Sequence, residues 1–241
     1  SSDVCSSDLT PTRMPEIASS YDHARFMNEA WRNKEMYLGE DPGMYGIYNE
    51  EELQKFRDGS DPYGYPNTDW NKEVLLPRAW QQMHSLTASG GSDKVKYFAG
   101  FGYVKQDALY GDTRTNESTS GFNRYNARVN IDANIVDKYL NLSADMAYRQ
   151  EDRNSIAGST SDVFNNMHRN PQTDPGRFPD GNLGKVSLGV NPIGLATEGG
   201  WVKDRKSVLN TRFMLDFNVP GLEGLNLKGI FSYDKIFNSI K

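Results

Sequence analysis

Histidines are the side chains of this sequence that most readily support acid–base catalysis or metal binding. His23, His84 and His168 are far apart in the chain, and none of them belongs to an HxxxH pair or lies beside a carboxylate cluster of metal-site form. Zinc sites need several nitrogen, sulfur or carboxylate ligands at close spacing, which this arrangement does not provide. We therefore interpret the three histidines as structural or solvent-exposed side chains.

Carboxylates are the second group of side chains that could do chemistry. Glu151 and Asp152 could form the carboxylate pair of a glycosidase, but adjacent residues of a strand point to opposite faces. Asp58, Asp61 and Asp69 lie in a turn-rich segment and could bind Ca²⁺, but their spacing matches no EF-hand loop, so Asx turns and helix capping are the alternative. We predict no enzyme activity, no catalytic residue and no cofactor, and the Ca²⁺ site stays open.

The overall composition argues against two classes of protein. The 241 residues carry a formal net charge of −5, so there is no basic excess of the kind that binds nucleic acid. Hydrophobic residues make up 37% of the sequence and never form a run long enough for a transmembrane helix, which needs about 18 apolar residues. A transmembrane β-barrel remains compatible, because its strands alternate lipid-facing and lumen-facing residues and average to middling hydropathy.

The first nine residues, SSDVCSSDL, differ in character from the rest of the chain. They repeat Ser-Ser-Asp, contain the only cysteine, Cys5, and have neither the basic nor the apolar region of a signal peptide. The segment resembles translated sequencing-adapter DNA, so we predict that residues 1–9 are a non-native tail, with a flexible native tail as the alternative. Without Cys5 the chain has no thiol for a disulfide, a catalytic cysteine or a zinc ribbon.

Residues 10–77 are predicted to form helices and turns. One helical face carries Phe26, Met27, Ala30 and Trp31. Asn49 is a predicted N-cap with a glutamate three residues later, and Gly59 can end that helix with a positive φ. The segment DGSDPYGYPNTDW is too rich in Gly, Pro, Asp and Asn for a regular element, so we predict an ordered loop anchored by Tyr63, Tyr65 and Trp70.

From residue 78 onward the hydrophobic pattern has a period of two. In NRYNARVNIDANI the odd positions are apolar or aromatic: Tyr125, Ala127, Val129, Ile131, Ala133 and Ile135. The even positions are polar: Arg124, Asn126, Arg128, Asn130, Asp132 and Asn134. The same alternation recurs along the chain and predicts about six strands, most of them longer than the usual strand of about 5–6 residues.

Short and long connections alternate between these predicted strands. GGSDK, VDKY and PGLEG are short turns, whereas residues 107–122 and 151–206 are long loops. An up-and-down transmembrane barrel has this arrangement, with short periplasmic turns and long extracellular loops. A soluble antiparallel sandwich also alternates in and out, but long strands, a polar inner face and aromatic strand ends favour the barrel. We therefore predict an all-β fold in which residues 78–241 form part of an antiparallel up-and-down transmembrane barrel.

The alternation also assigns side chains to the two faces of the predicted barrel wall. The residues predicted to face lipid include Tyr97, Phe101, Val129, Ile131, Phe213 and Leu215. The residues predicted to face the lumen include Arg124, Asn126, Arg128, Asn130, Asp132 and Arg212. On this interpretation the apolar side chains on one face of the predicted strands contact outer-membrane lipid and need no protein core behind them.

Four blocks of the sequence carry a family resemblance. MPEIASSYDHARFMNEAWRN is followed by FRDGSDPYGYPNTDW, by HSLTASGGSDKVKYFAGFGYVKQDAL and by RYNARVNIDANI. In their order and spacing these blocks resemble the SusC/RagA family of TonB-dependent outer-membrane transporters, over about residues 12–241. The resemblance implies that residues 10–77 are an extracellular-type segment that follows a missing first barrel strand.

The resemblance also implies a function and partners. It implies import of glycans, oligosaccharides or peptides across the outer membrane of a Gram-negative bacterium, together with a SusD-like surface lipoprotein. Energy would come from the TonB complex through a plug and TonB box that this chain does not include, so we expect the chain to be a fragment. A non-transporting outer-membrane barrel that acts as an adhesin or structural protein is the alternative.

The longer of the two loops, residues 151–206, carries the candidate contacts for cargo or a partner protein. Loops of this length in ordered proteins are usually functional. Aromatic faces combined with polar side chains suit glycans and suit peptides nearly as well. The predicted contact residues are Trp201 and Phe178, followed by Arg169 and Arg177. A solvated loop whose aromatic residues only attach it to the barrel rim is the alternative.

Overall fold

A computed structural model of the chain describes residues 1–39 and 46–241. The described elements are, in chain order, β1 (Ser2–Leu9), α1 (Ser20–Leu38), α2 (Glu50–Asp58), α3 (Trp70–Val74), β2 (Ala79–Gly91), β3 (Val95–Asp107), β4 (Gly111–Asp112), β5 (Glu117–Ser118), β6 (Gly121–Val136), β7 (Leu140–Ile156), α4 (Thr160–Arg169), α5 (Pro192–Thr197), β8 (Trp201–Asn218) and β9 (Asn226–Ile240). None of the helices in these ranges is long and apolar enough to cross a membrane.

The strands form a seven-stranded antiparallel sheet in the order β1-β2-β3-β6-β7-β8-β9. The order follows the chain except that β4 and β5 leave it as a separate hairpin. The predicted fold class, an all-β antiparallel up-and-down sheet of a partial barrel, is confirmed. A sandwich of two large sheets is not observed, since the described residues form this sheet and one two-stranded hairpin.

The strands extend further into the long loops than the alternation predicted. The predicted loop 151–206 is an overestimate, because β7 continues to Ile156 and β8 begins at Trp201, with these two residues directly opposite each other. Likewise the predicted loop 107–122 shrinks to 108–120 and contains the β4–β5 hairpin. The apolar and polar alternation fades at these strand ends, but the backbone ladder and cross-strand charge pairs such as Arg205–Asp152 maintain the pairing.

The first nine residues are a strand in the structure and not a flexible tail. β1 pairs along its whole length with β2, from Ser2 opposite Leu86 to Leu9 opposite Ala79. An edge strand offers a row of unpaired N–H and C=O groups, with which an extended segment of almost any sequence can pair. β1 therefore occupies the place in which the family resemblance expects another barrel strand.

The hydrophobic core lies among the long loops and not on the sheet. It consists of Trp70, Val74, Tyr110, Ile156, Val163, Met167, Ile193 and Ala196, all buried. The indole Nε1 of Trp70 donates a hydrogen bond to the carbonyl oxygen of Pro171 at 3.1 Å, which connects the helical segment to the longer loop. Because the long connections all leave the same end of the sheet, this core forms a cap over that end, and we call it the loop cap.

The two predicted helices of the first segment are present, and the second has its predicted caps. Asn49 and Glu52 form a capping box at the start of α2, and Gly59 ends it with φ 65°. The first helix, α1, buries a small and polar face and exposes its aromatic one: Ala24 and Asn28 are buried, whereas Phe26 is 53% exposed. The cause is Asn28, whose amide oxygen accepts hydrogen bonds from the backbone N–H groups of Ile47 and Tyr48.

Candidate functional site

The cross-strand register places the predicted lipid-facing side chains on one face of the sheet. Ile131 lies directly opposite Tyr97 on one side and Ala144 on the other, and Ala144 lies opposite Phe213. We call this the apolar face and its opposite the polar face. The apolar face carries all of the predicted lipid-facing residues, namely Tyr97, Phe101, Val129, Ile131, Phe213 and Leu215. These side chains lie on the surface of the chain, with Tyr97 50% and Phe213 40% exposed.

The side chains on this face form continuous rows across the strands β3, β6, β7 and β8, and all of them are apolar or aromatic except Thr211. Four successive rows are Val95, Ala133, Leu142, Leu215; Tyr97, Ile131, Ala144, Phe213; Ala99, Val129, Met146, Thr211; and Phe101, Ala127, Tyr148, Leu209. A soluble protein rarely leaves so large an apolar surface uncovered. The face therefore needs either an apolar solvent or a large protein partner.

Aromatic side chains border the apolar face at the end nearest the loop cap. The rings of Tyr103 and Tyr125 are 5.0 Å apart, and His84 stacks on Tyr103 at 6.0 Å. The hydroxyl of Tyr148 donates to Gln150 at 2.9 Å, toward the loop end of β7. An apolar ring body with its polar tip directed away from the apolar rows is the arrangement of an interfacial aromatic girdle. We call Tyr103, Tyr125 and Tyr148 the tyrosine girdle.

The polar face carries a connected network of charges and amides. Two nitrogens of Arg212 donate to the same carboxylate oxygen of Asp145, Nε at 3.0 Å and Nη2 at 2.6 Å. The amide of Asn130 donates to the other oxygen of Asp145, and Arg128 donates to Asn130 at 2.9 Å. The polar face carries all of Arg124, Asn126, Arg128, Asn130, Asp132 and Arg212. A surface of this kind is hydrated, as the lumen wall of a barrel must be.

The loop cap contains a cavity of about 250 Å³ that includes two of the predicted contact residues. Arg177 and Phe178 line it from the longer loop, and Tyr63 and Tyr65 line it from the loop after α2. The sequence predicted the two tyrosines only as anchors of their own loop, since nothing in the local pattern shows that two loops more than 100 residues apart meet. The cavity combines three aromatic rings with one guanidinium group.

Arg177 is bonded within the protein and is only 11% exposed. Its Nη1 donates to the carbonyl oxygen of Gly181 at 2.5 Å and to Glu198 at 3.1 Å. Burial raises the pKa of Glu73, while the Arg177 guanidinium acts in the opposite direction. Arg177 therefore fixes the shape of the cavity wall, and the half-buried ring of Phe178 is the more accessible contact of the two.

The other two predicted contact residues lie elsewhere. Trp201 is the first residue of β8, is 57% exposed, and has the ammonium of Lys203 at 4.7 Å from its ring centre. Arg169 is exposed at the last turn of α4. Neither residue lines the cavity that contains Arg177 and Phe178. The structure thus brings together one pair of the predicted contacts, and the role of all four stays a prediction.

The residues considered for chemistry are dispersed and engaged locally. Asp58 and Asp61 accept hydrogen bonds from the backbone N–H groups of Ser60 and Gly64, and Asp69 caps α3. Burial lowers the pKa of His23, with Asp174 acting in the opposite direction, and the Nδ1 of His168 contacts a backbone oxygen of its own helix. Within residues 1–39 and 46–241 there is no group of three or more His, Cys, Asp or Glu side chains that could hold a metal ion.

Two solved structures are similar to this chain. One is a chain of the RagAB peptide transporter, with a TM-score of 0.61 and 15% sequence identity over 97% of the present chain. The other is a chain of the RagAB peptide importer in the "open-open" state, with a TM-score of 0.64 and 14% identity over 99% of the present chain. In both cases the present chain spans 27% of the length of the solved chain. No protein-family model matches the sequence, and no curated protein is significantly similar to it.

Proposed function

We propose that this chain is part of the barrel wall of a TonB-dependent outer-membrane importer of the SusC/RagA type. On this proposal the apolar face contacts lipid, the polar face contacts the lumen, and the loop cap lies on the extracellular side. The protein would work with a SusD-like surface lipoprotein and would draw its energy from the TonB complex. The fold likeness to the RagAB peptide importer supports transport as the activity.

One observation carries the proposal, namely the apolar face and its height. From the girdle residue Tyr125 to Ile135, β6 advances ten residues, which at about 3.3 Å per residue is about 33 Å along the strand. At a strand tilt of about 40° this corresponds to about 25 Å across a membrane, the height of the apolar band on outer-membrane barrels. The polar network on the opposite face and the loops gathered at one end agree with the same placement.

The cavity in the loop cap supports a role in contacting cargo or the lipoprotein. Tyr63, Tyr65 and Phe178 offer aromatic faces to a sugar ring or to an apolar side chain, and the exposed Asn67 adds an amide beside them. Oligosaccharides and peptides both fit this chemistry, so we propose either as cargo. Arg169 and Trp201, exposed on other parts of the cap, are proposed contacts for the lipoprotein.

Cysteine labelling tests the proposed faces. In the complete protein, in a background without other cysteines, the single variants Ile131→Cys and Asn130→Cys are made in adjacent positions of β6. A water-soluble maleimide should modify the Asn130→Cys variant from the lumen, and a lipid-phase reagent should modify the Ile131→Cys variant. Equal modification of the two variants by either reagent would contradict the assignment of the faces.

Loop replacement tests the proposed transport role. Residues 171–184, which include Arg177 and Phe178, are replaced by a flexible linker of the same length, and the short turn 219–225 at the other end of the sheet is replaced as the control. We expect the first variant to lose nutrient uptake or co-purification of the lipoprotein at normal surface abundance, and the control to retain both. Unchanged uptake and partner binding in the first variant would remove this loop from the mechanism.

A further inference from the structure

The apolar face changes its chemistry beyond the tyrosine girdle, toward the loop cap. Two residues above Tyr125 the same face carries a row formed by Lys105, Asn123, Asp152, Arg205 and Ser239. The row above that one carries Asp107, Gly121, Asn154 and Lys203, followed by Lys241. The face that is apolar below the girdle is therefore basic immediately above it, on the strands β7, β8 and β9.

The cations of these two rows are only partly compensated. Arg205 donates from Nε to Asp152 at 2.6 Å, yet 62% of its side chain remains exposed. Lys203 and Lys241 lie directly opposite each other, and their backbones exchange hydrogen bonds of 3.0 and 2.9 Å. Like charges in directly opposed positions destabilise a sheet. On β7, β8 and β9 three cations thus face one carboxylate, while Lys105 and Asp107 of β3 pair with each other at 4.0 Å, so the rows carry an excess positive charge that an anion would stabilise.

The space between these side chains can accept such an anion. A cavity of about 400 Å³ is lined by Asp152, Arg205, Lys203 and Lys241, together with Arg153 and Asp204, whose opposite charges cancel, and with Asn123, Asn154 and Ser239. The first of the two rows lies two residues above the girdle, about 7 Å along the strand and about 5 Å in depth at the tilt of a barrel strand. This is the depth of lipid headgroups, immediately outside the hydrocarbon layer.

We propose that the basic patch formed by Lys203, Arg205 and Lys241 binds the phosphate groups of an anionic lipid in the outer leaflet of the membrane. This inference rests on the proposed membrane placement of the apolar face. The patch belongs to the lipid-facing side of the sheet, whereas a soluble cargo would pass along the polar face. Lysine and arginine at headgroup depth are attracted to anionic lipid by about 1 kcal/mol each. The girdle rings below would contact the upper acyl chain.

The test uses the complete protein, purified and placed in phosphatidylcholine vesicles that contain either bisphosphorylated lipid A or its dephosphorylated form. The number of lipid A molecules retained per protein is measured by native mass spectrometry after extraction into mild detergent. The double variant Lys203→Gln with Arg205→Gln removes two cations of the patch. Lys206→Gln is the matched control, because it removes a cation from the adjacent position on the polar face.

We expect the double variant to bind the phosphorylated lipid about 25-fold more weakly, since each lost cation accounts for about fivefold. The charge-conserving pair Lys203→Arg with Arg205→Lys should retain binding, which shows that a loss is not a folding defect. Equal binding by the double variant, equal loss in Lys206→Gln, or equal retention of the dephosphorylated lipid would each overturn the proposal. Competition by millimolar inorganic phosphate alone would also overturn it, because the site would then recognise free phosphate.

Failure of this inference is distinguishable from failure of the proposed function. If the patch does not bind lipid phosphate, the protein still fractionates with the outer membrane and the Ile131→Cys variant still reacts with the lipid-phase reagent. If the proposed function is wrong, the protein is absent from the outer-membrane fraction, and neither the double variant nor the Lys206→Gln control retains lipid. That result also overturns the inference.

Discussion

Placing a charge at the centre of the apolar face is the most direct perturbation of the proposed arrangement. Ile131 lies six residues along β6 from the girdle residue Tyr125, or about 20 Å along the strand and about 15 Å in depth at a tilt of about 40°. In an apolar band about 25 Å tall, this position is within about 3 Å of the midplane. Its direct cross-strand neighbours, Tyr97 and Ala144, offer no carboxylate.

We therefore expect Ile131→Arg to lower the free energy of unfolding of the complete protein by about 2–4 kcal/mol, the cost of an arginine at the bilayer midplane on the lipid face of a barrel. Asn130→Arg is the matched control, because the adjacent residue points to the hydrated polar face, beside Asp145. Its effect should be below about 1 kcal/mol, as expected for a solvated substitution without a buried partner.

The assay is reversible urea unfolding of the complete protein in lipid vesicles, followed by tryptophan fluorescence. Vesicles made from lipids with shorter and longer acyl chains move the midplane relative to the girdle and should change the cost of Ile131→Arg but not that of Asn130→Arg. If the two substitutions cost the same, or if Asn130→Arg costs more, the assignment of the apolar face to lipid is wrong.

Three further predictions concern the loop cap. Met167→Ala should destabilise the cap by about 2–5 kcal/mol through the cavity it leaves in the core. Hydrogen exchange should become faster in residues 160–169 and stay unchanged in the strand β6. Unchanged exchange in residues 160–169 would contradict a separate core in the cap. Arg177→Ala should raise exchange at residues 181–184 by about tenfold, because Gly181 and Glu198 lose their donor; an unchanged rate would mean that the arginine does not hold this loop. The hydrogen bonds from Arg114 lower the pKa of Asp112 from 3.8 to about 2, so the stabilisation of the β4–β5 hairpin by this pair is present above about pH 4 and lost as the pH falls through 2. Hydrogen exchange in the hairpin, corrected for the intrinsic effect of pH, should therefore become faster over this range, and Asp112→Asn should abolish the change. A variant that keeps the change would refute the pair as its cause.

The sheet could be predicted from the sequence because its pattern is local. An alternation such as that from Arg124 to Ile135 follows directly from the geometry of a strand with two different solvents on its two faces. The same reasoning failed at the strand ends from Glu151 to Ile156, where both faces are polar and the period disappears. It also failed for β1, because pairing with an open edge depends on backbone groups and not on side-chain pattern.

The candidate contact site could be predicted only in part. The composition of the longer loop indicated aromatic and basic contacts, and two of them, Arg177 and Phe178, do line one cavity. The meeting of that loop with Tyr63 and Tyr65 depends on long-range packing around Trp70, for which the local sequence carries no signal. The hydrogen bond from Arg177 to Glu198 could not be predicted for the same reason, since the two residues lie 21 positions apart in the chain.

The separation of the hydrophobic core from the sheet has a consequence for how this architecture can change over time. The side chains that hold the loop cap together meet the strands mainly at Ile156, while the wall of the sheet is held by its own hydrogen-bond ladder. Substitutions that reshape the cap therefore leave the wall intact, and substitutions on the wall leave the cap intact. A lineage built in this way can replace the loop cap as a module without having to change the strand pairing of the sheet.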